Sequence, residues 1–243
     1  MSDANPYQTP ESNLENLPPV NPQLNLDWDL GDVFKEAWQL TEGFKGTIIC
    51  AGLIYLGVSH GLSLLITLIV GNEPFALVLL AQLVVMLISY PLGVGICMLG
   101  IKRSAGMPTN VNMLFDYYPK TIQIFLLYIS MMILIFLGFL VFIIPGIYLA
   151  IAYSMAMPLL IEKNLGIWQA LETSRKMIHK YWFNFFGLYI VISVIFFLSA
   201  LPLGIGLIWS IPFCIVVFGI VYRSMFGVES VAVAQKSSAS QSF

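Results

Sequence analysis

Charge is what this sequence has least of: Asp, Glu, Lys and Arg together make up 10% of its 243 residues, where a soluble domain has roughly a quarter. Apolar residues reach 58% and the mean hydropathy is +0.86. A water-soluble fold has no way to hide that much apolar surface. Histidine is nearly absent as well. His60 and His179 are the two in the chain, so a histidine-based metal site or catalytic triad has little to draw on. The three cysteines, Cys50, Cys97 and Cys214, show no ligand spacing and lie in apolar stretches, where a thiol behaves as a small hydrophobe. No phosphate-binding glycine loop, HExxH, GxSxG or paired-carboxylate arrangement occurs. These absences point away from an enzyme, and neither a cofactor nor a nucleic-acid partner is expected.

The first thirty residues lack a basic segment followed by an apolar one, so no cleavable signal peptide is expected and the first span should act as its own insertion signal. They hold five acids, five prolines and no Lys or Arg, which predicts a disordered tail over 1–30. A second short, Ser-rich tail is expected over 228–243. Between them, 31–227 forms the membrane domain.

Its spans can be counted from length. Residues 47–70 carry no charge and cover roughly 36 Å as a helix, enough to cross a bilayer with some tilt. After Gly71-Asn72-Glu73-Pro74, a second span runs over 76–100. The next apolar stretch, 121–161, would be about 60 Å long as one helix, twice the hydrocarbon thickness, so it must fold back. Pro145 and Gly146 mark the expected break, giving spans 121–143 and 146–162. The stretch 183–222 repeats the problem, and Pro202 with Gly204 repeats the solution, giving 183–201 and 204–223. The reading is all-α: a polytopic membrane protein with six transmembrane helices arranged as three hairpins.

Orientation follows from basic residues, which are retained on the cytoplasmic side. In the six-span reading all eleven, from Lys35 to Lys236, lie on the side of the termini, and the three hairpin tips carry none. Five or seven spans would scatter them. The expected location is the inner membrane of a bacterium, with both termini cytoplasmic.

Each hairpin is preceded by a short amphipathic stretch expected to lie as an interfacial helix at the inner headgroup layer. Residues 31–45 place Val33, Phe34, Ala37, Trp38, Thr41 and Phe44 on one face, with Asp32 available as N-cap. Residues 110–118 repeat the pattern, with Asn110 as cap and Val111, Leu114, Phe115 and Tyr118 at helical spacing. The longest copy, 164–182, sets Ile167, Leu171, Ser174, Ile178 and Tyr181 opposite Gln169, Glu172, Thr173, Lys176 and Lys180. Glu172 and Lys176 form an i,i+4 pair. Arg175, Lys176 and Lys180 are candidate contacts for anionic lipid headgroups, or simply the topology signal.

Within the spans one ionisable group stands out, His60. It is either a neutral histidine bonded to a neighbouring helix or a proton or ligand site. With Gln82 and Tyr153 it makes a candidate polar intramembrane site, although such residues also serve as interhelical hydrogen-bond glue.

From Ile144 to Gly227 the sequence resembles a widespread family of bacterial integral membrane proteins of unknown function, and the related membrane domain attached to some glycerophosphodiester phosphodiesterases. The features are Ile144-Pro145-Gly146-Ile147, Tyr153-Ser154-Met155-Ala156 ending at Pro158, and Ala170 with Ser174-Arg175-Lys176-Met177. Phe115 and Pro91 to Gly95 fit the same pattern. The resemblance implies a six-helix bundle in the inner membrane with no agreed activity. The phosphodiesterase barrel is missing, so no catalytic residue carries over. The expectation is a non-enzymatic component that binds a partner, another membrane protein or a second copy of itself, or organises the lipid bilayer; the alternative is a small-molecule or lipid transporter or channel.

Overall fold

The structure, a computed structural model, describes residues 28–70 and 74–228. The expected tails over 1–27 and 229–243, and the first tip over 71–73, lie outside the described residues. In chain order the helices are α1 (Leu30–Thr41), α2 (Lys45–Val70), α3 (Phe75–Ser104), α4 (Thr121–Val141), α5 (Ile143–Ala152), α6 (Ala156–Glu162), α7 (Ile167–Lys180), α8 (Trp182–Ala200) and α9 (Leu207–Phe226). Two short 3-10 turns, Val111–Phe115 and Tyr118–Lys120, precede α4. There is no strand among the described residues. Six segments are long and apolar enough to cross a membrane, with α5 and α6 together making the fourth.

Span boundaries agree with the hydropathy reading to within a few residues, but the local devices differ. Helix α1 begins before Asp32: Asp29 is its cap, accepting from the Gly31 N–H at 3.0 Å. Asp32 therefore sits in the first turn, where its charge meets the positive end of the helix dipole. The second amphipathic stretch is 3-10, not α. Asn110 does cap it, accepting from the Asn112 N–H at 3.2 Å. Pro119 starts a new turn and leaves too few residues to propagate an α-helix. Leu114 in the first 3-10 turn and Tyr117 between the two turns are buried, while Phe115 points outward.

The reversal between α4 and α5 falls on a single extended residue, Phe142 (φ −162°, ψ 159°), and not at Pro145-Gly146. Pro145 occupies the first turn of α5, where a missing N–H has no helical acceptor to disappoint. Gly146 is needed for closeness: a Cβ there would lie 2.5 Å from Cδ1 of Phe139. The last reversal does occur over 201–206, with Pro202 in the turn and Gly204 at φ 79°. Consecutive long helices pack on each other, α2 on α3, α4 on α5 and α8 on α9.

Helices α3 and α9 cross at glycines. A Cβ on Gly100 would lie 2.5 Å from the Ile215 carbonyl oxygen, and one on Gly219 would strike the Gly100 carbonyl. Small residues at such a crossing let two backbones approach and gain dispersion contacts that lipid cannot supply. The α5–α6 span and α9 are central, each with 50% of its crossing window buried, whereas α2 and α8 have 11%.

The core is not evenly spread along the bundle. It gathers around the ends of α3 and α9, where α1, α7 and the 3-10 turns also lie: Ala37, Phe44, Leu99, Ile101, Leu114, Leu159, Ile178, Phe185 and Tyr222 are all buried there. At the opposite end Leu77, Val78, Leu79 and Leu80 are exposed in succession, as are Leu140 to Ile144. Consecutive residues cover the whole circumference of a helix, so little besides the adjacent partner helix covers those tips.

The amphipathic helices dock inward. Val33, Ala37 and Thr41 of α1 are buried against the bundle, chiefly against α9, and Ala170, Leu171, Ser174 and Ile178 of α7 against α5 and α6. The bundle takes up most of these apolar faces, although Trp38 on α1 stays 64% exposed.

Candidate functional site

The residues singled out as a polar intramembrane site are not brought together. His60 is exposed on α2 in one stripe with Leu53, Leu56 and Leu64. Gln82 is exposed on α3 beside Leu83. Tyr153 is buried at 6% exposure, in the turn between α5 and α6. Of the three thiols Cys214 is buried, Cys97 partly buried and Cys50 exposed, each on an apolar helix.

The turn over 153–155 interrupts the fourth span inside the bundle. Irregular backbone at membrane depth survives only where protein or an aqueous cavity surrounds it, and here the surroundings are protein. The Ser174 hydroxyl of α7 donates to the Ala152 carbonyl at 2.7 Å, satisfying a group that the break releases. The Ser154 hydroxyl is buried at the same break, with the Tyr189 phenol of α8 beside it. Pro158, four residues on, has no N–H to offer the Ser154 carbonyl.

The basic end holds a constellation that residue counting did not reveal. Arg103 donates to the Leu40 and Glu42 carbonyls, at 2.9 and 2.8 Å, at the C-terminal end of α1. Lys120 donates to the Ile161 carbonyl in the last turn of α6 at 3.2 Å, and to Asn164 Oδ1 at 2.8 Å. Arg223 donates to the Ser104 carbonyl at the end of α3, and to both carboxylate oxygens of Glu36 at 2.8 and 2.9 Å. Each cation therefore satisfies orphan carbonyls of a different helix and sits at the negative end of that helix's dipole. Buried Tyr222 adds a hydrogen bond to Glu162 Oε2 at 3.0 Å. Through these contacts the basic residues tie α1, α3, α4, α6 and α9 together.

Helix α7 presents its polar face outward. Its N-terminal N–H at Gly166 is capped by Gln169 Oε1 at 3.2 Å. Arg175 grips Glu172 with two bonds, at 2.7 and 2.9 Å, and Lys176 approaches the same carboxylate at 3.5 Å. The Arg175 hydrogen bond holds the Glu172 carboxyl below its usual range, and the pairing raises Arg175 in turn. Of the three candidate headgroup contacts, Arg175 is thus largely engaged, Lys176 is shared and 55% exposed, and Lys180 is exposed beyond them. His179 Nδ1 lies 2.9 Å from the Tyr148 hydroxyl, which joins α7 to α5.

Among the described residues no three His, Cys, Asp or Glu side chains gather as metal ligands would. The fold defines a multi-pass helical membrane protein. Comparison with protein-family models, curated proteins and solved structures finds no match to this chain.

Proposed function

We propose that this chain is a non-enzymatic component of a bacterial inner membrane that organises lipid around a bundle closed at one end and open at the other, with both termini in the cytoplasm. The observation that carries the reading is the uneven packing. Buried side chains and the carbonyl-capping cations concentrate at the basic end, while exposed leucines, isoleucines and phenylalanines line the far halves of the helices. Apolar helices with no protein neighbour in a bilayer are covered by acyl chains. The cytoplasmic orientation rests on the gathering of the basic residues at one end. The resemblance to inner-membrane proteins of unknown function agrees with this reading and adds no activity to it.

A second reading, a small-molecule or lipid transporter, is favoured by one observation: the interrupted fourth span with the buried Ser154 hydroxyl at its break. Against it, the charged side chains near that break, Arg175 and Glu172 of α7, are paired with each other.

Native mass spectrometry of the protein extracted from its own membrane in mild detergent tests the choice. Retained phospholipid without a second protein supports lipid organisation. A stoichiometric second protein would put partner binding first. A retained small solute would favour transport, with liposome flux assays to follow.

A further inference from the structure

We propose that the outward face of α7, together with the exposed stripe of α8 that continues from it, is a docking surface for an anionic phospholipid. This deepens the lipid-organising reading and rests on it. The apolar side of α7 is consumed by α5 and α6, so the charges on its other side are not needed to hold the helix in place. On that outward side Trp168, 65% exposed, precedes Glu172, Lys176 and Lys180 at intervals of one turn. The chain then bends at Tyr181 (φ −118°, ψ 25°) and enters α8. There Phe183 is 81% exposed, and Phe186, Ile190, Val194 and Phe197 follow it as a single exposed stripe running away from the basic end.

One amphiphile fits this sequence of surfaces. Its phosphate meets ammonium groups on α7, its glycerol region lies at the level of the bend, and its acyl chains run along α8. Trp168 and Phe183 bracket the cations, and aromatic rings of this kind settle at headgroup depth. The charge balance selects an anionic lipid. Glu172 satisfies Arg175 and part of Lys176, which leaves Lys180 and the exposed part of Lys176 without a counter-ion on this face among the described residues. A zwitterionic lipid would carry its own cation into this positive field.

The test uses the full chain in mild detergent, titrated with phosphatidylglycerol or phosphatidylcholine and read by native mass spectrometry. Phosphatidylglycerol should be retained several-fold more than phosphatidylcholine. Lys180→Gln should reduce that retention about fivefold, as expected for one cation near an anionic surface, and Lys176→Gln should reduce it less because Glu172 shares that charge. Glu172→Gln should raise retention by releasing two cations. Both lysines are on the surface, so an unchanged melting temperature in Lys180→Gln keeps a loss of lipid from being a loss of fold. Equal retention of the two lipids, or a preference that survives in the double lysine variant, would overturn the docking surface while leaving lipid organisation in place. Finding no lipid, with an acidic protein bound instead, would overturn both.

Discussion

Arg223 donates to the Ser104 carbonyl and to both carboxylate oxygens of Glu36, and so joins α9, α3 and α1 through one guanidinium. Arg223→Ala should lower stability by about 1–3 kcal/mol, because it orphans a carboxylate and a carbonyl at a helix end. Arg223→Lys should recover only part of that, since an ammonium lacks the planar fork. Melting temperatures of the purified variants in detergent check both. Glu172 makes a pH prediction whose sign follows from its lowered folded-state value. The Glu172–Arg175 pair contributes its stability above the ordinary carboxylate range and loses it as pH falls through the depressed folded value. Thermal scans below about pH 5 should therefore narrow the gap between wild type and Glu172→Gln, a gap of only about 0.5 kcal/mol at neutral pH because the pair is near the surface. The partners of these charges were not legible in the sequence. Counting bases places them on one side, but which helix end each one caps depends on how distant segments meet.

Glycine separates two kinds of helix surface. Gly100 and Gly219 sit where α3 and α9 touch, and any Cβ there meets backbone. Gly219→Ala should cost about 2–3 kcal/mol or prevent assembly, the usual consequence of overpacking a tight contact. On α2, a Cβ on Gly57 or Gly61 meets nothing within 4 Å. Gly57→Ala and Gly61→Ala should accordingly leave the monomer unharmed or raise its stability by up to about 1 kcal/mol through helix propensity. Measured melting temperatures decide, and destabilisation at Gly57 or Gly61 would reveal a contact with another chain. Length and hydropathy sufficed to find these helices and nearly to bound them. They did not locate the reversal at Phe142, because a proline followed by a glycine reads as a break whether it ends one helix or opens the next. The 3-10 turn before α4 was hidden in the same way: Val111, Leu114, Phe115 and Tyr118 suit an α-helical face, and nothing in their spacing shows that the helix stops at Phe115.

At the scale of the whole molecule, the basic end is a packed and hydrogen-bonded knot from which pairs of helices extend with their far ends facing outward. The sequence could announce six spans because charge and apolar length register directly in composition. It could not announce this asymmetry, since a leucine facing lipid and a leucine in the core look alike. His60 illustrates the limit: as the one histidine in a span it invited a functional reading, yet the fold sets it in an exposed stripe with Leu53, Leu56 and Leu64, far in sequence from buried Tyr153. His60→Ala should leave both melting temperature and lipid retention within error of wild type.

The most direct test of the account is a pair of electron-paramagnetic distance measurements in lipid nanodiscs. One pair of spin labels replaces exposed residues at the basic end, Lys35 and Lys176, and the other replaces exposed residues at the far end, Leu68 and Leu203. The account predicts a narrow distance distribution at the basic end and a broad one at the far end that shifts with bilayer thickness. Equally narrow distributions that ignore the lipid would contradict it, because the far ends would then be packed on protein and would leave no room for lipid between them.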